Sequence, residues 1–259
     1  MYELRMKRKL KKGLFLVSGF WFLVSISSAQ NVKDSSLFVP MVKLSYSLQG
    51  PGGDLVDRFG TNSNVGLNFT IKTTSHWIIG AGGSFIFGNR IKEKGILDNL
   101  KTSSGFIINQ NGNPAEVRLF ERGYTVSIYA GRQFHWLGIN KNSGIFAYAG
   151  PVFLIHKIKI DDIGHQSPPL VDPYPKGYDR LTAGFGAQQF VGYLFLSSKK
   201  MLNFFVGCEF TEAFTKSQRS FDYDLMKQDT KKRIDVLQGI RIGWILPLYQ
   251  KPAQEFYYH

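Results

Sequence analysis

Apolar and polar residues alternate along most of this chain, and residues 236–248, V-L-Q-G-I-R-I-G-W-I-L-P-L, show it most clearly. From Gln238 onward, Ile240, Ile242, Trp244, Leu246 and Leu248 fall on one face. Gly239, Arg241 and Gly243 fall on the other, which ends in Ile245 and Pro247. A two-residue period marks a strand whose faces meet different surroundings. An arginine flanked by glycines is a poor core face for a soluble sandwich. It suits a wall with lipid outside and a narrow polar lumen inside.

Seven earlier stretches read the same way. In residues 37–48, Phe38, Val42, Leu44, Tyr46 and Leu48 oppose Met41, Lys43, Ser45 and Ser47. Residues 64–72 set Val65, Leu67, Phe69 and Ile71 against Gly66, Asn68, Thr70 and Lys72. A third strand runs from Trp77 to Phe87, and a fourth, residues 124–132, turns Tyr124, Val126, Ile128 and Ala130 to the apolar side. The fifth, residues 144–160, is apolar throughout; Phe146, Tyr148, Val152, Leu154 and Ile158 are expected to face outward there. Residues 182–196 and 201–215 give the sixth and seventh. The connections alternate long (49–62, 88–123, 161–180, 216–233) and short or moderate (73–76, 133–143, 197–200). An even strand count with alternating loop lengths predicts an all-β fold, an eight-stranded antiparallel up-and-down transmembrane β-barrel. Tyr46, Trp77, Tyr124, Tyr148, Tyr193 and Trp244 are candidates for its interfacial aromatic girdles. The alternative is a secreted lipocalin-like barrel with a polar exterior and an apolar lumen. Rings crowd one face of nearly every strand, and a lumen holding them all is hard to fit into so small a barrel, so the transmembrane reading is favoured.

The start of the chain agrees. Residues 1–13 carry six basic residues against Glu3, residues 14–26 are apolar, and Ser27-Ser28-Ala29 precedes Gln30. This describes a signal peptide cleaved after Ala29, with residues 30–259 forming the barrel. Of the net charge of +13, about +8 stays with the mature chain. That excess is scattered, and no basic stripe with interleaved aromatics suggests nucleic acid. The single cysteine, Cys208, excludes an intramolecular disulfide and reads as a small apolar residue on the outer face.

P-G-G-D-L-V-D-R-F-G at residues 51–60, R-L-F-E-R-G at 118–123 and G-W-I-L-P-L-Y at 243–249 resemble small outer-membrane β-barrel proteins of the Bacteroidota, as does the S-S-A-Q export end. The resemblance implies an outer-membrane location and a structural or interaction role in the envelope, with some similar barrels accessory to protein secretion. It carries no catalytic motif and no cofactor. A narrow channel is the alternative, and a barrel enzyme acting on lipid a third.

Candidate chemistry is mainly electrostatic. Lys43, Glu209 and Arg241 fall on the lumen face of neighbouring strands at similar counted heights, which predicts a Glu209 bridge to Arg241, Lys43 or both, beside Asn203, Asn68 and Gln188. In the loop 49–62, Asp54–Phe59 is expected to form one helical turn; Asp54, Leu55, Arg58 and Phe59 are candidates for partner docking, with a lid over the mouth the equal alternative. Arg90, Lys92, Lys94, Lys231, Lys232 and Arg233 are placed to meet lipopolysaccharide phosphates or to stand solvated. His165-Gln166-Ser167 reads as a chance match to a hydrolase pair, and Asp161, Asp162 and His165 match no known metal-ligand spacing.

Overall fold

The computed structural model describes residues 36–93, 95–164, 167–197 and 202–248. The predicted signal peptide, His165 and the tail 249–259 lie outside them. Eight antiparallel strands close into one barrel in chain order. They are β1 (Val39–Gly53), β2 (Asn62–Lys72), β3 (Trp77–Gly88), β4 (Val117–Phe134), β5 (Gly144–Asp162), β6 (Thr182–Phe195), β7 (Phe204–Ser217) and β8 (Lys232–Pro247). The ring closes where β8 pairs with β1, Arg241 opposite Ser47 and Ile245 opposite Lys43. Closure leaves no unpaired strand edge. Three short connections mark one end of the barrel, the turn end; four long ones mark the other, the loop end.

Burial inverts the soluble pattern. Leu44, Leu67, Ile79, Val126, Ile128, Phe185 and Ile240 all point outward and are more than half exposed. Lys43, Ser45, Ser47, Gln49, Asn64, Asn68, Glu209 and Arg241 point inward and are buried. Cys208 is on the exposed side. Tyr46, Trp77, Tyr124 and Trp244 stand on the outer surface as expected of girdle residues.

β5 is the exception. Phe146, Tyr148, Val152, Leu154 and Ile158 are buried in the lumen, and Ile145, Ala147, Phe153 and Ile155 take the outer face. Both faces of this strand are apolar, so alternation carries no phase. What decides it is the space inside: Tyr129, Phe146, Tyr148, Phe190 and Phe205 fill the turn-end half of the lumen. Tyr148 stacks between Tyr129 and Phe190, with centroids 4.2 and 5.0 Å away. Glycine makes the room. A Cβ on Gly80 would stand 2.7 Å from the Tyr129 ring, and one on Gly243 would stand 2.3 Å from Phe205. Five rings therefore do fit inside, because glycines directly opposite them on the neighbouring strands leave room for the rings to lie over.

Strand lengths also differ from the alternation pattern. β4 begins at Val117 rather than Tyr124, and β1 runs on to Gly53. Near the loop end, charges occur on both faces and the apolar period fades, while the backbone ladder continues. The β4–β5 register is interrupted opposite Gly150 and Pro151, where proline has no N–H to give.

Replacing Gly80 by valine should push the Tyr129 ring aside and strain its 2.7 Å hydroxyl contact with Thr70. The expected loss is about 1–3 kcal/mol, read as a lower urea midpoint for barrel refolded into detergent.

Candidate functional site

The lumen is layered. At the turn end, Lys72 Nζ reaches Asn142 Oδ1 at 3.0 Å and the Leu37 carbonyl at 3.3 Å, and the ring cluster lies above it. A polar belt follows. Arg241 Nη2 meets Glu209 Oε2 at 2.6 Å, with both side chains buried. Gln49 Nε2 donates to the other Glu209 oxygen at 2.9 Å, and Arg241 Nε donates to Ser47 Oγ at 3.2 Å. The ion pair is thus completed by neighbours that spread its charge, which a buried pair requires. Gln49 was read as the start of a loop, although it continues the inward series Lys43, Ser45, Ser47.

Lys43 does not join Glu209. The register sets it opposite Asn68 on one side and Ile245 on the other, four residues from Ser47 toward the turn end. At roughly 3.3 Å per residue that is about 13 Å along the strand. Its ammonium lies among rings instead, 5.2 Å from the Phe146 centroid and 5.4 Å from that of Phe205. Equal counts from the strand ends are not equal heights in a barrel whose strands tilt. Asn68 and Gln188 are buried on the lumen face as expected, while Asn203 sits at the turn end, accepting from the Ser197 N–H at 2.7 Å.

Nearer the loop end, His156 Nε2 meets Asp235 Oδ2 at 2.9 Å, and Thr215 Oγ1 donates to the same oxygen at 2.5 Å. Above them the four long loops close the mouth. Residues 54–57 form a 3-10 turn whose Leu55, followed by Phe59, packs into an apolar cluster with Ile96, Leu97, Ile107, Leu154, Ile158 and Tyr178. The Phe59 ring stands edge-on to His156 at 5.5 Å. Leu55 and Phe59 are therefore part of a lid. Arg58 is buried too, bonded to Thr182 at 2.8 Å and paired with Glu93 at 3.2 Å and Asp229 at 3.5 Å. Of the four candidate docking residues, Asp54 alone is part-exposed; it accepts from Lys231 and from the Ile234 N–H, both at 2.9 Å.

A clasp of ions joins the loops. Arg180, from the β5–β6 loop, pairs with Glu93 of the β3–β4 loop at 2.9 Å and with Asp222 and Asp224 of the β7–β8 loop. Its backbone is left-handed, φ 51°, a strained state for a non-glycine residue. Arg219 grips both Asp179 oxygens at 2.9 and 2.6 Å, and Arg233 binds Asp229 at 2.6 Å. Burial pulls the Arg180 guanidinium down, but Glu93, Asp224 and Asp222 together raise it above its ordinary value. Burial holds Arg58 below its usual value, with Glu93 offsetting part of that. Burial pushes Asp222 up. Asp54 is held below the usual carboxylate range, mainly by the Ile234 N–H and Lys231. Asp229 is also lowered: burial opposes this, but the Arg233 hydrogen bond and its charge outweigh it.

Ser167 is described although His165 is not. Its backbone N–H donates to Asp162 Oδ2 at 2.8 Å, a turn-forming contact. Among the described residues no group of three or more His, Cys, Asp or Glu is arranged to hold a metal, and no helix is long and apolar enough to cross a membrane.

No family model matches the chain, and no curated protein matches it in sequence. Among solved structures it is similar to Ail, the attachment invasion locus protein of Yersinia pestis, solved in complex with the heparin analogue sucrose octasulfate. The identity is 11% over 81% of this chain and 99% of Ail, with a TM-score of 0.37. Neisserial surface protein A (NspA) is 10% identical over 78% of this chain and 96% of its own, with a TM-score of 0.36. The fold rests on its own closed ring of eight strands.

Two predictions follow from the ion pairs. Glu209→Ala strands Arg241 in the lumen and should cost about 3–5 kcal/mol, whereas Glu209→Met with Arg241→Met recovers most of it; urea midpoints in detergent read both. For the cap, the sign is set by Asp54 and Asp229, whose folded pKa values lie below the unfolded carboxylate value of 3.8. Their stabilisation is present above pH 3.8 and is lost as pH falls below it. The long loops should resist an acid-stable protease at about pH 5 and be cut at about pH 2.5, with unfolded chain as the control for protease activity.

Proposed function

We propose that this chain is a non-enzymatic β-barrel of the cell outer membrane that serves as a structural or interaction component of the envelope. One observation carries the reading: all eight strands turn apolar side chains outward around a lumen that holds rings, the Glu209–Arg241 ion pair and hydrogen-bonded polar groups. Soluble monomers rarely expose contiguous apolar patches beyond a few hundred Å², and an apolar belt around a whole barrel suits only a lipid surround. Each strand reaches the roughly 9–11 residues that a tilted crossing needs. In this setting the short turns face the periplasm and the ion-clasped loops face outward.

The filled lumen supports a scaffold rather than a conduit. The loop cap, held rigid by ions shared among four loops, is what the barrel offers to other envelope components, and membrane lipid and lipopolysaccharide surround its wall. A role accessory to protein secretion is the narrowest form of the same proposal, and it rests on the resemblance of residues 51–60, 118–123 and 243–249.

The outer-membrane fraction run unboiled on a denaturing gel should show a band displaced from the boiled one, and the purified barrel should give no conductance steps in a planar bilayer. Recovery from the soluble periplasm with no shift would reject the membrane reading. Discrete conductance that changes with Arg241→Ala would replace the scaffold by a narrow channel.

A further inference from the structure

Outward cations gather near the loop end of the wall, and most have company. Lys159 pairs with Asp161 at 3.1 Å and Lys157 lies 3.8 Å from Asp179. The Arg122 guanidinium covers the Phe120 ring at 5.0 Å. Lys216 and Lys232 differ. They stand directly opposite each other on β7 and β8, both on the exposed face, and neither ammonium has a partner among the described residues. Like charges in register across two strands repel, so the pair costs stability unless an anion bridges it.

The rows around them define what that anion is attached to. Ala183, Lys216 and Lys232 form one row across β6, β7 and β8. Two residues toward the turn end, about 7 Å away, Phe185, Phe214 and Ile234 form the next. Phe185 and Phe214 are each 72% exposed, and these residues line an open groove of about 660 Å³ on the barrel wall. Small Ala183 beside Lys216 keeps the head of the groove clear. Asp54, bonded to the Ile234 N–H, is already neutralised by Lys231, and Asp229 by Arg233; the next acid along the outer face of β7, Glu212, is four residues from Lys216, about 13 Å away. Two unpaired ammoniums directly above an apolar trough match an amphiphile with a phosphate head and a hydrocarbon tail.

We infer that Lys216 and Lys232, with the groove over Phe185, Phe214 and Ile234, form a binding site for a phosphorylated lipid of the leaflet on the loop side. The inference rests on the membrane reading above. The phosphate bridges the two ammoniums, and one acyl chain lies along the aromatic row.

The full chain, folded in detergent and checked by its gel shift, would be placed in phosphatidylcholine nanodiscs containing either bisphosphorylated lipid A or its dephosphorylated form. Native mass spectrometry then counts retained lipid. Wild type should hold one phosphorylated molecule, and Lys216→Gln and Lys232→Gln should each weaken retention about fivefold, or about 30-fold together. Lys159→Gln, which removes an outward cation of β5 already paired with Asp161, should leave retention unchanged. Equal retention of the dephosphorylated lipid, or full retention by the double variant, overturns the site. Displacement by inorganic phosphate alone would mean that a free anion is the ligand, and would overturn the lipid assignment. If the double variant loses its gel shift, the two single variants decide. A wild-type chain with no gel shift and no insertion would instead sink the membrane reading itself.

Discussion

A ring of eight strands fixes the width of its own interior, and that width governs the rest of this molecule. Backbone hydrogen bonding leaves no freedom to open the ring further, so the lumen must be filled by what its strands point inward. Five rings occupy one half, and they fit because glycines on adjacent strands present bare backbone to them. In the other half, charge replaces bulk. Each lumen ion taken from water must find a counter-charge, a ring or hydrogen-bond acceptors within reach, as Lys72 does in Asn142 and the Leu37 carbonyl. Glu209 and Arg241 find each other, and Lys43 finds Phe146 and Phe205.

The mouth repeats the same logic with loops in place of strands. Four excursions of the chain converge over the barrel, and their backbones cannot all pair as a sheet. Arginines do the joining, since one guanidinium offers five donors in a rigid fork and bonds several loops at once. Arg180 and Arg58 share Glu93, so three loops depend on a single carboxylate. Beneath that ionic layer, Leu55 and Phe59 meet Ile96, Leu97, Ile107, Leu170 and Tyr178 from the other loops in one apolar cluster.

Much of this was legible in the chain itself. Strand number, order and the outward face of seven strands follow from a period of two and from loop lengths; a lumen bridge from Glu209 was legible too, with the choice between Arg241 and Lys43 left open. The face of β5 was not legible, because Phe146, Tyr148 and Leu154 alternate with residues just as apolar. Glycines at Gly80 and Gly243 mark inward positions, but the pattern does not say that a ring from another strand lies over each. The height of Lys43 was lost to strand tilt, which counting along a sequence does not include. The ionic clasp was invisible for a different reason. Arg58, Glu93, Arg180 and Asp224 are far apart in the chain and meet only because the ring sets their loops side by side.

The position of the lumen ion pair has a consequence for how the ring is assembled. Glu209 and Arg241 lie on β7 and β8, and their bonds to Gln49 and Ser47 of β1 straddle the seam where the two ends of the barrel meet. That seam joins residues nearly two hundred positions apart, and contacts of such separation form late. Until then the carboxylate and the guanidinium can keep their water. A seam joined one step out of register would turn Ser47 and Gln49 out of the lumen and leave the Glu209–Arg241 pair without the neighbours that spread its charge. Ser47 and Gln49 thus work as a checksum on closure, testing the first strand against the last two.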